Sequence, residues 1–200
     1  MSITDSKKGV VVYCGSSSQL DKKYVDAAYS LGQALAKAGV PLVSGGGRGG
    51  LMAAAIDGAL SEGGDTVGVL PDFMVERGWN HPNLTEMIVT DSMHTRKATM
   101  AQMSCAAIAL PGGCGTFDEL FEIITWRQLG LYQGNVVILN VDHYYDPLIE
   151  MLERMMQEHF MNPDHANLWH IASSVEDAVA HALRPIEIRP FSQKLPIEKY

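Results

Sequence analysis

The sequence predicts a doubly wound α/β fold, in which one parallel sheet carries helices on both faces. Short apolar runs rich in β-branched residues alternate along the chain with helical patterns, and the links between them are short. The first run, at residues 9–14, reads G-V-V-V-Y-C, which is typical of a strand buried on both faces of a parallel sheet. Glycine-rich turns follow several runs, as expected where a strand leads into a helix.

The predicted elements follow one another in alternation. Asp21 begins a helical pattern in which apolar residues recur every three or four positions, and Gly39 ends it. After the strand at 9–14, we expect strands at residues 40–44, 66–70, 86–90, 106–110, 134–140 and 169–172. Between them we expect helices at residues 21–38, 53–60, 93–103, 116–126, 147–159 and 175–183. Residues 72–83 show little periodicity and predict a surface loop of a length that is often functional.

Length and composition bound the class of protein. Two hundred residues suffice for one good-sized core, so residues 1–200 are predicted to form a single domain. The formal net charge of −8 disfavours a nucleic acid or an anionic membrane as partner. The sequence has no apolar signal core and no run long enough to span a bilayer, which predicts a cytoplasmic protein. Prolines in the tail at 184–200 exclude a regular helix there, and we expect it to be extended.

Residues 111–122 read P-G-G-C-G-T-F-D-E-L-F-E and lead from a predicted strand into a predicted helix. Glycines remove the Cβ atoms that would keep an anion away from the backbone, and the N–H groups of a first helical turn are free to bind it. The turn therefore predicts a phosphate site. Glu119 and Glu122 share a face of the helix that follows. A carboxylate beside a bound sugar phosphate can stabilise positive charge on the sugar or activate a water.

A second glycine-rich turn, S-G-G-G-R-G-G-L-M at residues 44–52, follows the second predicted strand. Gly45, Gly47 and Gly50 match the G-x-G-x-x-G motif of dinucleotide-binding proteins, and Asp72 lies roughly where such a site places its ribose-binding acid. Taken alone, this motif suggests NAD. It follows the second strand rather than the first, however, and the turn at 111–115 competes for a phosphate. One phosphate shared by two turns fits a mononucleotide better.

A basic pair lies at the start of the helix predicted at 93–103, where the helix dipole disfavours cations. We therefore expect Arg96 and Lys97 to face a bound anion or a carboxylate such as Glu119, with a solvated surface pair as the alternative. Ligands of such sheets bind beyond the carboxyl ends of the strands. Ser16, the two glycine turns and the loop after the third strand should converge there on one site.

The three cysteines indicate neither a disulfide framework nor a zinc site, because they are odd in number and form no C-x-x-C pair. Cys114 lies in the glycine turn, where a helix N-terminus can lower the pKa of a thiol. No basic residue adjoins it in the sequence, which argues against a catalytic nucleophile. We expect no metal at the site.

Three segments together resemble the LOG ("Lonely Guy") family, the cytokinin-activating phosphoribohydrolases long labelled as lysine decarboxylases. They are P-G-G-C-G-T-F-D-E at 111–119, S-G-G-G-R-G-G-L-M at 44–52 and M-H-T-R-K at 93–97. The resemblance implies a Rossmann-like fold and a homodimer or higher homo-oligomer. It also implies hydrolysis of the N-glycosidic bond of AMP, or of its N6-modified forms, to free base and ribose 5-phosphate, without a cofactor.

The resemblance implies roles for individual residues. Arg96 and Glu119 match the catalytic pair of the family. It also implies a set of substrate-binding residues. Gly112, Gly113, Gly115 and Thr116 form the phosphate cradle, and the others are Lys97, Glu122, Gly45, Gly46, Gly47 and Met93. The family usually reads G-L-M-G where this chain has G-L-M-A at residues 50–53. Ala53 thus replaces the last glycine and adds a methyl group near the ligand. Nothing in the sequence marks a pyridoxal-phosphate lysine, so the residues give the decarboxylase label no support.

Two further function classes remain open at the level of the sequence. One is a nucleotide-binding or sensing protein without turnover, and the other is an NAD-linked enzyme. The residues do not separate AMP from N6-modified substrates, because the base pocket depends on how side chains are placed in three dimensions.

Overall fold

A computed structural model describes Ile3 and residues 7–186, so most of the tail predicted as extended lies outside the described residues. Its centre is a seven-stranded sheet in the order β4-β3-β2-β1-β5-β6-β7. Every neighbouring pair of strands is parallel. The strands are β1 Gly9–Tyr13, β2 Leu42–Ser44, β3 Thr66–Pro71, β4 Glu86–Thr90, β5 Ser104–Ala109, β6 Asn135–Leu139 and β7 His170–Ala172. The prediction of a doubly wound parallel sheet is confirmed.

Helices connect the strands, as the parallel pairing requires. They are α1 Lys22–Lys37, α2 Gly50–Ser61, α3 Asp72–Glu76, α4 Met93–Gln102, α5 Cys114–Gln128, α6 Asp146–Gln157 and α7 Val175–Ala182. Short 3₁₀ turns occur at Val141–His143 and Pro163–Leu168. No helix in the described part of the chain is both long and apolar enough to cross a bilayer.

The central strand β1 shows why the sheet is covered on both faces. Val10 and Val12 pack with residues of α1, α2 and α7. Val11 and Tyr13 point the other way and pack with residues of α4, α5 and α6. All four side chains are buried. The run G-V-V-V-Y is continuous rather than alternating because each face of the strand meets helices.

Most element boundaries differ from the predicted ones by one to three residues, and three of the differences have a clear local cause. The surface loop predicted at 72–83 begins with the short helix α3, whose first turn carries Asp72 and follows Pro71. The second strand starts at Leu42 rather than residue 40, because the N–H of Val40 donates to Leu35 O and closes the end of α1. Helix α5 starts two residues before the predicted position, at Cys114, because the glycine turn already belongs to its first turn.

The strand order places a crevice between β1 and β5. The chain proceeds from β1 toward one edge of the sheet through β4, and then returns to β5 on the other side of β1. The loops that leave β1 and β5 therefore diverge, and a ligand site is expected between them. They are tied at the base, because the N–H of Gly15 donates to Pro111 O at 3.0 Å.

Candidate active site

The glycine turn after β2 is packed tightly against the rest of the chain. Gly46 has a φ of +64°, and a Cβ there would lie 2.4 Å from a methyl group of Leu70. Gly50 has a φ of +58°, and its Cβ would lie 2.6 Å from the carbonyl carbon of Ser16. Both positions require glycine for conformation and for space. This turn is fixed by internal packing.

The first glycine of the same turn makes room for a charged side chain. A Cβ on Gly45 would lie 1.9 Å from Nη2 of Arg96 and 3.1 Å from Sδ of Met52. The guanidinium of Arg96 therefore lies directly against the backbone of the turn. Its Nε donates to Val69 O at 2.9 Å, which anchors the side chain to the end of β3.

The turn after β5 has a different character. A Cβ on Gly112 would lie 2.1 Å from Oγ1 of Thr116, a residue that is itself buried. Around Gly113 and Gly115, however, an added Cβ would meet no described atom within 4 Å, and neither residue has a positive φ. Gly113 caps α5 without a side-chain hydrogen bond. The N–H groups of the first helical turn have no side-chain cap, and the space beside Gly113 and Gly115 is open, which is an arrangement that can bind an anion.

Arg96 and Glu119 form a buried ion pair beside this turn. Nη1 of Arg96 donates to Oε1 of Glu119 at 3.0 Å, and the side chains are 8% and 13% exposed. Burial raises the pKa of the Glu119 carboxyl above its ordinary value, while the charge and the hydrogen bond of Arg96 oppose that rise. The sequence-based expectation that the basic pair faces a carboxylate such as Glu119 holds for Arg96.

Lys97 faces two other carboxylates. Its Nζ lies 3.0 Å from Oδ2 of Asp118 and 3.3 Å from Oε1 of Glu122. Burial works to lower the pKa of Lys97, but the hydrogen bonds with these two carboxylates outweigh burial and raise it. Lys97 is therefore held as an ammonium by the face of α5. Met93, at the start of the same helix, is exposed.

Two residues of the predicted loop at 72–83 have structural partners. The carboxylate of Asp72 accepts a hydrogen bond from the N–H of Phe73 at 2.7 Å within the first turn of α3. Nε2 of the buried His81 ring lies 3.1 Å from Oδ1 of Asp57 on α2. The backbone N–H of His81 donates to Gly46 O. His81 therefore ties this loop to the turn after β2.

The cysteines are spread over the site and the sheet. Cys14, at the end of β1, is buried, and this burial raises the pKa of its thiol. Cys114 is exposed at the first position of α5. Within residues 7–186, no three His, Cys, Asp or Glu side chains lie together in a way that could hold a metal ion.

A shallow depression runs along α5 from the glycine turn. It has a volume of about 710 Å³. Its lining mixes aromatic and polar side chains: Cys114, Phe117, Asp118, Phe121, Glu122, Thr125 and Trp126. An apolar surface therefore begins at the turn itself.

Sequence reasoning missed two tyrosines. The hydroxyl of Tyr144 donates to Gly112 O, and that of Tyr145 to Leu110 O, each at 2.6 Å. They reach the turn from the connection after β6, more than 30 residues away. The one available signal was that this connection, like the other site loops, follows the carboxyl end of a strand.

The chain is similar to known proteins over most of its length. The family model described as "Possible lysine decarboxylase" matches residues 52–182. A cytokinin riboside 5′-monophosphate phosphoribohydrolase of Rhodococcoides fascians is 40% identical over 89% of this chain and 90% of that protein. One of Arabidopsis thaliana with the same activity in its name is 38% identical over 90% of this chain and 84% of that protein.

Solved structures with the same fold include cofactor-binding proteins. A molybdenum cofactor binding protein of Rippkaea orientalis has a TM-score of 0.64 and 28% identity, over 86% of this chain and 94% of that one. A Moco carrier protein of Chlamydomonas reinhardtii has a TM-score of 0.66 and 25% identity, over 87% and 94%. This sheet thus occurs in proteins named for binding as well as in proteins named for hydrolysis.

Proposed function

The chain belongs to the LOG family, whose model carries the description "Possible lysine decarboxylase", and from this premise we propose that it is a nucleoside 5′-monophosphate N-ribosidase. It hydrolyses the N-glycosidic bond of AMP, or of N6-modified adenosine 5′-monophosphates, and releases the free base and ribose 5-phosphate. The relatives named as cytokinin riboside 5′-monophosphate phosphoribohydrolases support this reaction, since they match over most of their length.

One observation carries the proposal. The open first turn of α5 and Glu119, the carboxylate that pairs with buried Arg96, lie on the same helix. Glu119 lies about one helical turn beyond Gly115, at roughly 1.5 Å rise per residue. A phosphate bound at the turn would therefore leave its sugar near the carboxylate. Phosphate binding and cleavage of the N-glycosidic bond occur at opposite ends of the ribose 5-phosphate unit, so the groups that perform them must be separated in this way.

Each residue has a role in this reaction. The N–H groups after Gly112, together with Gly113, Gly115 and Thr116, bind the phosphate. Glu119 stabilises the positive charge that develops on the ribose as the base departs, or positions the attacking water. Arg96 orients that carboxylate and the sugar. Gly45, Gly46 and Gly47 border the ribose from the other turn, while Met93, Lys97 and Glu122 border the site on α4 and α5.

The decarboxylase description fits these residues less well. Pyridoxal phosphate chemistry needs a lysine amine that can form a Schiff base. Lys97 is the lysine beside the site, and its ammonium is held by Asp118 and Glu122. A raised pKa keeps it protonated, which is the opposite of what Schiff-base formation requires.

The test is a chromatographic assay of the purified protein with AMP and with N6-isopentenyl-AMP. We expect free base and ribose 5-phosphate in equal amounts from at least one of them. The absence of both products with both substrates would overturn the proposal. The alternative, nucleotide binding without turnover, is favoured by the solved relatives named as cofactor carriers. Calorimetry that showed AMP binding beside zero hydrolysis would support it.

We also propose that the chain acts as a cytoplasmic homodimer or higher homo-oligomer. The depression along α5 supports assembly, because exposed Leu129 and Leu131 extend the apolar surface just beyond its end. A second copy would cover this surface. Light scattering on the purified protein tests the assembly, and a strictly monomeric mass at assay concentration would contradict it. Cell fractionation tests the compartment.

A further inference from the structure

We infer that Tyr144 is a positioning residue that aims the Gly113 N–H at the phosphate, and that Tyr145 braces it. The inference rests on the proposed function, because it assumes that the turn at 111–115 binds the phosphate of a nucleotide. It concerns residues that touch the outer side of the turn rather than the ligand. Their hydroxyls bond carbonyl oxygens, which an anion would repel.

Four consecutive carbonyl groups of the turn are all engaged. Tyr145 donates to Leu110 O and Tyr144 to Gly112 O, each at 2.6 Å. Pro111 O accepts from the N–H of Gly15 at 3.0 Å, and Gly113 O accepts from the N–H of Phe117 at 3.1 Å. Two of these bonds come from backbone N–H groups, one in the loop after β1 and one in α5 itself. The other two depend on the tyrosines.

Peptide geometry converts these bonds into a direction. In a planar trans peptide, the C=O of one residue and the N–H of the next point in opposite directions. The bond from Tyr144 to Gly112 O therefore turns the Gly113 N–H away from the tyrosine. Glycine has wide rotational freedom, so without that bond the 112–113 peptide plane can rotate. Gly113 is also a position where an added Cβ would meet no described atom within 4 Å.

The ring of Tyr144 is fixed from two sides. It makes an edge contact with Tyr145, with ring centroids 5.1 Å apart, and another with Tyr24 of α1 at 5.9 Å. Tyr145 is fully buried and also makes an edge contact with Phe117 of α5 at 5.8 Å. Tyr144 itself is 39% exposed, so burial in the core does not by itself explain its hydroxyl bond.

The backbone before Tyr144 is held in a rarely populated conformation. Asp142 and His143 have φ values of +49° and +61°, although neither is glycine. The side chain of Asn140 closes this segment by accepting from the N–H of Tyr145 at 2.7 Å. Asp142 is also paired with Lys23 of α1. Non-glycine residues keep such φ values only where the surrounding contacts impose them, and such strain often marks a functional position.

The experiment compares Tyr144→Phe with Tyr24→Phe. Both variants keep a ring in the same aromatic cluster, but of these two tyrosines it is Tyr144 whose hydroxyl donates a hydrogen bond to Gly112 O of the turn. Calorimetry with AMP and with adenosine measures binding, chromatography measures AMP hydrolysis, and a thermal melt measures folding. Since one hydrogen bond is worth a factor of a few in an equilibrium, we expect Tyr144→Phe to weaken AMP binding about fivefold. The adenosine affinity and melting temperature of Tyr144→Phe should match those of the wild type. Tyr24→Phe should match the wild type in AMP affinity, adenosine affinity, AMP hydrolysis and melting temperature.

The outcomes separate this inference from the proposed function. Equal loss of AMP and adenosine affinity in Tyr144→Phe would overturn the inference, because the effect would not depend on the phosphate. Unchanged AMP affinity would overturn it as well. A wild-type protein that binds AMP but does not hydrolyse it would overturn the proposed function and leave the inference testable by the binding data alone.

Discussion

The two glycine-rich turns at the carboxyl edge of the sheet use glycine for different reasons. After β2, Gly46 and Gly50 have positive φ values, and added Cβ atoms would collide with neighbouring residues. After β5, Gly113 and Gly115 have neither a positive φ nor any described neighbour within 4 Å of an added Cβ. Packing and backbone conformation therefore require glycine at these positions of the first turn. Neither requires it at Gly113 or Gly115.

This difference distinguishes a packing glycine from a ligand glycine. The first turn supports the site indirectly, because it lets the guanidinium of Arg96 lie against Gly45 and reach Glu119. The second turn leaves backbone N–H groups uncovered at the start of α5. A sequence motif rich in glycine therefore has no single meaning, and the space around each Cβ position shows which meaning applies.

The largest effect is expected from the carboxylate that follows the second turn. Glu119→Gln keeps the shape of the side chain but removes its charge, so kcat for AMP should fall at least about 100-fold, with AMP affinity within about threefold of wild type. Steady-state kinetics and calorimetry check both. The matched control is Asp118→Asn, which alters the adjacent carboxylate that pairs with Lys97. Full activity in Glu119→Gln would refute the role assigned to Glu119.

A smaller effect is expected from the first turn. In Gly45→Ala, the new methyl group would take the place of Nη2 of Arg96, so the guanidinium must move and its 3.0 Å contact with Glu119 must lengthen. We expect kcat to fall about tenfold, since positioning errors of about 1 Å can cost that much or more. Single-turnover kinetics measure it. Unchanged kcat would show that the place of Arg96 does not depend on this turn.

The pH dependence connects the two turns through the same ion pair. Burial raises the pKa of Glu119 above 4.5. If the carboxylate form is active, kcat should fall as the pH drops through that raised pKa, at a higher pH than for an ordinary glutamate. Because Arg96 opposes the rise, Gly45→Ala should move this acid limb to higher pH. Rate profiles between about pH 4 and 8 measure it, and a limb at the ordinary value would contradict the burial argument.

The same shift has a defined sign for stability. A carboxyl group whose pKa is raised by folding binds its proton more tightly in the folded state. Its contribution to the free energy of unfolding is complete below the unfolded pKa and is lost as pH rises through the folded one. The unfolding free energies of wild type and Glu119→Gln should therefore diverge as pH rises across this window, with the wild type losing more.

Much of the fold could be predicted from local patterns. Strand β4 begins and ends at the predicted residues, and Ser92 caps the helix that follows it by accepting a hydrogen bond from the N–H of Thr95. These features depend on neighbours within a few positions. Helix α3 was missed because five residues are too few to show a periodicity.

The site was predictable to the extent that it is local. The unfavourable position of Arg96 in its helix indicated a bound anion or a carboxylate such as Glu119 as its partner, and the structure contains the contact with Glu119. The tyrosines after β6 were not predictable in this way. Their hydroxyls bond backbone carbonyls of a distant turn, and any side chain can lie beside a carbonyl, so no complementary residue type marks the partner.

The most direct test of the contrast between the turns is the melting temperature of Gly113→Ala and Gly46→Ala, with and without saturating AMP. A bound ligand raises the melting temperature by an amount that depends on its affinity. We predict that Gly113→Ala melts like the wild type without AMP and loses most of the AMP-induced increase. Gly46→Ala should melt several degrees lower, because its clash and positive φ destabilise the fold, and should keep that increase. A Gly113→Ala protein that melts low yet keeps the full response to AMP would contradict the account.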